Sequence, residues 1–309
     1  MEAPDLARVR PWLRRVPVVA YLALLVAVVV HLHGVPASRE TLIAMLLAAL
    51  LAASATSIDR FRRVARAFAV DWLPFAAMLA LYDLIRGYAD GLWLPRHARP
   101  QIEADRVIGL GNVPTVWLQR HFWHGGAHLH WWDYGAWITY VTYFFVPTLV
   151  LAVLWLHSRE LFRRLAGMVV ALSLAGCATY VLYPAVPPWL AEQQGLIPGV
   201  HHIFGTVSGH MPFVSFKPLW RKGTRYDNQV AAVPSLHAAV TLLVALFVRS
   251  RLRTRWRELL WLYPLAMMLA LVYSGEHYVS DVLIGWLYAG AVYRVGRERT
   301  QPRRACSTT

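Results

Sequence analysis

Apolar and polar positions follow one another along the chain in long blocks. Eight apolar blocks can be drawn, at residues 16–34, 40–57, 67–86, 134–156, 165–183, 231–249, 258–275 and 277–293. Each lies near the roughly 20 residues that carry a helix across a bilayer; the short second and last blocks also allow a count of seven. Short arginine-rich connections alternate with two long ones, about 87–133 and 184–230, that mix Trp, His, Gly and Pro. The pattern predicts an all-α polytopic membrane protein, with two N-terminal transmembrane helices in front of a six-helix core. Three parts follow: residues 1–66 as an N-terminal cytoplasmic segment with the accessory helices, 67–293 as one membrane domain, and 294–309 as a basic cytoplasmic tail.

Composition agrees with the bilayer as solvent: 57% of residues are hydrophobic and 14 are Trp, and mean hydropathy is +0.41. Cys177 sits in an apolar block and Cys306 in the polar tail, so neither a disulfide framework nor a cysteine metal site is implied. The first apolar block lacks a small-residue cleavage site and is read as a retained helix. A net charge of +14 would suggest nucleic acid in a soluble protein, but 21 of the 31 Lys and Arg fall on one side of the expected spans. That bias is an orientation signal. It predicts an inner-membrane protein with both termini cytoplasmic, and it gives no reason to expect a nucleic-acid partner.

Three reaction-capable side chains then fall on the opposite, extracytoplasmic face: His237, His277 and Asp281. Both histidines open an apolar block. Asp281 follows His277 by four residues, which on a helix puts the two on one face and lets the carboxylate hold an imidazole nitrogen. Pro234 and Ser235 precede His237 as helix-start residues, and free N–H groups at a helix start attract anions. Two imidazoles and a carboxylate suit phosphoryl transfer, with one nitrogen attacking phosphorus and the other imidazole protonating the leaving oxygen. Spacing alone does not say which histidine attacks.

The stretches Pro234-Ser235-Leu236-His237-Ala238-Ala239 and His277-Tyr278-Val279-Ser280-Asp281-Val282 resemble the second and third signature motifs of the type 2 phosphatidic acid phosphatase superfamily. Their form, together with Tyr183-Pro184-Ala185-Val186-Pro187-Pro188-Trp189, resembles the branch containing inositol phosphorylceramide synthase and the sphingomyelin synthases. The likeness covers roughly residues 68–293. It implies a phosphatidic acid phosphatase-like six-helix core and a phosphohistidine on His277. Asp281 would orient that imidazole, His237 would serve as acid and base, and Tyr278 would support them; no cofactor or metal is implied.

The chain departs from the broader family in its cations. The usual first motif, a Lys followed by Arg-Pro, would fall at Tyr183 to Trp189, where no basic residue stands, and the Arg six positions before the motif histidine is Leu271. Substitute phosphate ligands are Arg86, paired with Asp83 three residues earlier, and the loop cations Lys217, Arg221, Lys222 and Arg225, with Ser235 at the helix start. A rival constellation, His121, His124, His128 and His130 with Asp133, lacks the Glu of a zinc-protease helix and contains Gly125 and Gly126; it reads as interfacial histidines beside Trp117, Trp123, Trp131 and Trp132. His201 and His202 give a weaker signal still. The expected activity is transfer of a phosphoryl headgroup from a membrane lipid phosphate to a lipid or polyol acceptor. Hydrolysis, with water as acceptor, is the alternative. A non-catalytic lipid binder or transporter on the same scaffold would tolerate loss of either histidine.

Overall fold

The computed structural model describes residues 58–89, 94–211 and 230–298, with isolated positions 23, 45, 48, 49 and 52. The first two expected spans and the loop cations Lys217, Arg221, Lys222 and Arg225 lie outside the described residues. Among those described, the helices are α1 (Ile58–Ala89), α2 (Arg99–Ile108), α3 (Pro114–Phe122), α4 (Trp131–His157), α5 (Arg159–Leu182), α6 (Pro188–Gln193), α7 (Ile203–Gly209), α8 (Leu236–Arg249), α9 (Leu262–Tyr273) and α10 (Val279–Glu298). No strand occurs among the described residues, and the fold is all-α, as the apolar blocks predicted. Segments Asp59–Leu81, Trp131–His157 and Arg159–Leu182 are long and apolar enough to cross a membrane. The protein is an integral membrane protein.

The bundle is built around α8. Its sequence is apolar on every side, and Leu236, Ala238 to Ala245 and Phe247 are buried; a helix without a polar face needs neighbours all round. It packs against α4, α5, α9 and α10, and α1 covers the far side of α5. Two close approaches tighten the packing. A Cβ on Gly285 of α10 would stand 2.4 Å from the Ser235 carbonyl oxygen, and one on Gly176 of α5 would meet the Leu236 side chain at 2.9 Å.

The seventh expected span, 258–275, begins differently from the reading. Residues Arg255–Trp261 form a 3-10 helix, and α-helix starts at Leu262. Pro264 supplies the reason: without an N–H it cannot bond back into a preceding α-turn, so it sits where the first turn needs no donor. At the other edge of the bundle, Asp71 of α1 is buried. It accepts from Trp155 Nε1 at 2.8 Å, Arg159 Nε at 2.6 Å and Arg163 Nε at 2.8 Å. This acid in an apolar helix ties α1 to the α4–α5 turn.

Over the opposite end of the bundle lies an outer layer made by α2, α3, α6 and α7. Ala98, Ile102, Val113, Val186, Ala191 and Tyr278 share one small core there, and Trp137, Phe204 and Tyr273 share another. Three extended segments cross beneath the layer. His97 N donates to Pro184 O at 2.8 Å, Val186 N to His97 O at 2.8 Å, Ala185 N to Val230 O at 2.7 Å and Ala232 N to Ala185 O at 3.2 Å. The Tyr183–Trp189 stretch is thereby held between the first outer connection and the approach to α8.

Candidate active site

The start of α8, the end of α9 and the start of α10 meet under this outer layer. After α9 the chain turns through Ser274 and Gly275, whose φ of +81° is left-handed and favours glycine. Leu271 O collects the turn's amides, accepting from Glu276 N at 3.1 Å and His277 N at 3.3 Å. Leu271 itself is buried in the main core, so the position where the broader family carries an arginine is here an apolar packing residue.

His277 precedes α10, which starts at Val279. The expected one-face relation of a continuous helix to Asp281 is therefore corrected. What brings the two together is the turn: Tyr278 N donates to Asp281 Oδ2 at 2.9 Å, and His277 Nδ1 stands 3.5 Å from the same oxygen. His277 Nδ1 also lies 3.0 Å from Ala232 O. Both groups facing Nδ1 are acceptors, so the network assigns the proton to Nδ1 and the lone pair to Nε2. His277 is 6% exposed and Asp281 is fully buried.

His237 sits in the first turn of α8, half-buried. Its ring centroid is 5.9 Å from that of His277. Tyr140, Tyr143 and Phe144 of α4 surround it, at centroid distances of 4.9, 4.2 and 6.1 Å. Ser235 is fully buried; its hydroxyl accepts from Ala238 N and its own N–H donates to Asp281 O at 3.1 Å. The geometry makes Ser235 the helix cap of α8. Tyr278 is buried in the outer core, and its backbone, through the bond to Asp281, is the part that shapes the site. Arg86 and Asp83 fall in the last turns of α1, and their side chains lie outside the described residues.

Asp105 was not singled out in the sequence. From α2 its carboxylate accepts from Val279 N and Ser280 N, both at 2.9 Å. It thus caps the start of α10 from another element, supplying the anion that a helix N-terminus favours. Burial pushes the Asp105 carboxyl above the usual carboxylate range, and the two amide bonds act against that shift. Beside the site, His202 Nε2 lies 2.7 Å from Glu276 Oε1, and its ring stacks on Trp189 at 4.9 Å. Gln119 joins α3 to the same corner, donating to Tyr273 O at 2.8 Å and His201 O at 3.0 Å while accepting from His201 N at 2.7 Å.

The rival histidine loop has different uses. His121 Nδ1 lies 2.8 Å from Trp117 O and His124 Nδ1 3.1 Å from Phe122 O. Asp133 is buried, accepting from His130 N at 2.7 Å and from the Tyr273 hydroxyl. Among the described residues, no group of three or more His, Cys, Asp or Glu side chains is arranged to hold a metal ion.

With two histidines and a buried carboxylate gathered by three helix ends, the comparison with known families becomes decisive: the PAP2 superfamily profile matches residues 104–295. The chain belongs to the PAP2 superfamily. It is 28% identical over 250 residues to phosphoinositol dihydroceramide synthase of Bacteroides thetaiotaomicron, covering 71% of this chain and 73% of that protein. It is also 23% identical to inositol phosphorylceramide synthase of Candida albicans over 55% of this chain and 37% of that one. The inositol phosphorylceramide synthase catalytic subunit aur1 of Schizosaccharomyces pombe is 26% identical over 51% of this chain and 38% of its own length. The chain thus spans well under half of the fungal relatives. No solved structure matches it significantly. The PAP2 match begins inside α2 and takes in Asp105, both histidines and Asp281.

Proposed function

We propose that this PAP2 protein is a membrane phosphotransferase that moves a phosphoinositol headgroup from a glycerolipid to the hydroxyl of a ceramide-like lipid. The observation that carries the reading is the pair of acceptors at His277 Nδ1, which leaves Nε2 as a lone-pair donor 5.9 Å, ring to ring, from His237. The names of the bacterial and fungal relatives supply the headgroup and acceptor class.

In the first step His277 Nε2 attacks phosphorus and a bond forms between them. The bond from phosphorus to the diacylglycerol oxygen breaks, and His237 in its protonated form gives that oxygen its proton. His237 then accepts the proton of the incoming hydroxyl, whose oxygen attacks phosphorus and displaces Nε2. One phosphodiester is consumed, another is formed, and diacylglycerol is released. Asp281 and Ala232 O hold the His277 ring and offset the positive charge that grows on it. Residues Arg86, Lys217, Arg221, Lys222 and Arg225 are the proposed cations for the phosphate. The active site is assigned to the extracytoplasmic face and both termini to the cytoplasm, on the strength of the arginine bias.

The test is an assay of purified protein in lipid micelles with phosphatidylinositol, with and without ceramide, with phosphatidic acid and polyprenyl diphosphate as other donors. A ceramide-linked phosphodiester, absent with His277→Ala, supports transfer. Inositol phosphate or free phosphate released equally with and without ceramide would make the protein a hydrolase, and turnover unaffected by His277→Ala would overturn the assignment of the nucleophile.

A further inference from the structure

A second site stands at the other end of the same helices. Where α8 and α10 finish, a cavity of about 490 Å³ opens, within the range of small-molecule sites. Five arginines line it, Arg164, Arg249, Arg251, Arg257 and Arg297, and no acidic residue is among the lining residues. Its inner wall is apolar, formed by Met168, Leu246 and Phe247. On α8 the lining begins at Leu246, nine residues after His237 and about 14 Å along the helix.

Arginines on one face are enough to orient a membrane protein, but orientation does not require that they converge on a cavity. Here they are also held in place. Arg251 lies over the Phe247 ring, its Cζ 3.4 Å from the centroid, and donates through Nη1 to Phe247 O at 2.7 Å. Arg249 bonds Glu258 through Nε and Nη2, Arg257 bonds it through Nε, and Arg164 bonds Glu160 through Nη2. Those bonds engage one or two of the five N–H donors on each guanidinium. Burial lowers the proton affinity of Arg251; Tyr293 acts against that shift, and the like charge of Arg164 adds to it. Glu160 and Glu258 offset part of this charge at Arg164, Arg249 and Arg257; an anion would offset the rest, and the planar fork of arginine matches the oxygens of phosphate.

We propose that this cavity is a phosphate-binding site, distinct from the histidine site, that takes the headgroup of an anionic phospholipid or a soluble phosphate ester. Its place at the bilayer surface and its apolar wall suit a lipid, whose phosphate meets the arginines while its glycerol and upper chains lie against Phe247 and Leu246.

The experiment uses the full chain in neutral detergent. Native mass spectrometry and thermal unfolding are followed as phosphatidylglycerol, glycerol phosphate or phosphatidylcholine is titrated. We expect phosphatidylglycerol to bind and raise the melting temperature, with affinity about tenfold lower in Arg251→Gln, the equivalent of one charge-assisted contact. Because Arg251 also caps α8, Arg164→Gln is measured in parallel and is expected to weaken binding in the same direction. Arg62→Gln, exposed on α1, serves as the control for general charge and should change nothing. The same dependence with glycerol phosphate would identify a soluble ester as ligand. Binding of neither anion, or equal anion binding by all four proteins, would overturn the proposal.

Discussion

His237 and His277 stand 40 positions apart in the chain, yet their rings lie 5.9 Å apart, inclined at 56°. His237 comes from the first turn of α8 and His277 from the turn before α10, and the bond from Ser235 N to Asp281 O joins the two segments. Replacing His277 by Ala is expected to abolish product formation and to lower stability by about 1–3 kcal/mol, because buried Asp281 and Ala232 O lose their shared partner. Replacing His237 by Ala should slow turnover by about 10²–10⁴-fold, the usual contribution of a positioned acid-base group. A single-turnover assay with radiolabelled phosphatidylinositol checks both, since only the His277 variant loses the protein-bound phosphate label altogether.

Asp105 holds the first two amides of α10 and touches neither histidine in the bonds described. Asp105→Asn keeps one oxygen for this cap and should lower kcat about tenfold with KM little changed; Asp105→Ala loses the cap and about 1–2 kcal/mol of stability. Steady-state kinetics together with thermal unfolding separates the two. An equal fall in kcat for both variants with no change in stability would count against positioning through the helix start.

The same residue gives a pH signature. Burial raises the folded carboxyl above its ordinary value of 3.8. A raised acid holds its proton more tightly folded than unfolded, so its stabilising increment is full below 3.8 and is lost as pH rises through the folded value. Melting temperatures across that window should show this decline in the natural protein and lack it in Asp105→Asn.

Gly285 admits the Ser235 carbonyl against α10, where a Cβ would stand 2.4 Å away. The clash is with backbone and cannot be relieved by a rotamer. Gly285→Ala is expected to cost about 1–3 kcal/mol and to depress activity by pushing α8, with His237, away from His277. Gly290→Ala, where a Cβ meets nothing within 4 Å, is the matched control.

Asp71 tests the opposite end. Asp71→Asn leaves Arg159 and Arg163 without their shared carboxylate and should lower stability by about 2 kcal/mol. Turnover per folded molecule should stay the same, because the tie lies on the far side of α5 from the histidines. Activity normalised to folded protein measures this directly.

Much of the bundle was legible because membrane helices write themselves as blocks of apolar residues. The three histidine-site residues were legible too, since each sits beside the start of such a block. What escaped were relationships between segments. Asp105 looks like any polar residue on a short outer helix, and nothing local reveals that it meets the amides of residues 279 and 280. Tyr140, Tyr143 and Phe144 carried a usable signal, three aromatics at helical spacing in one span, but their target lay elsewhere in the chain. Glu276 and His202 stand 74 positions apart and nothing local pairs them, although the two side chains lie 2.7 Å apart. The helical relation of His277 to Asp281 failed for a specific reason: the turn after Gly275 puts His277 ahead of the first helical residue.

The second partner of His277 Nδ1 is a main-chain oxygen, that of Ala232. Every amino acid brings that same oxygen, so mutation at codon 232 can crowd the site through its side chain yet can never delete the acceptor. The hydrogen-bond partner that sets the His277 tautomer is thus partly insulated from genetic drift. Proline aside, which would lose the bond from residue 232 N to Ala185 O, variation at this position would be filtered by size, whereas position 281, where the partner oxygen belongs to a side chain, would be filtered by chemistry.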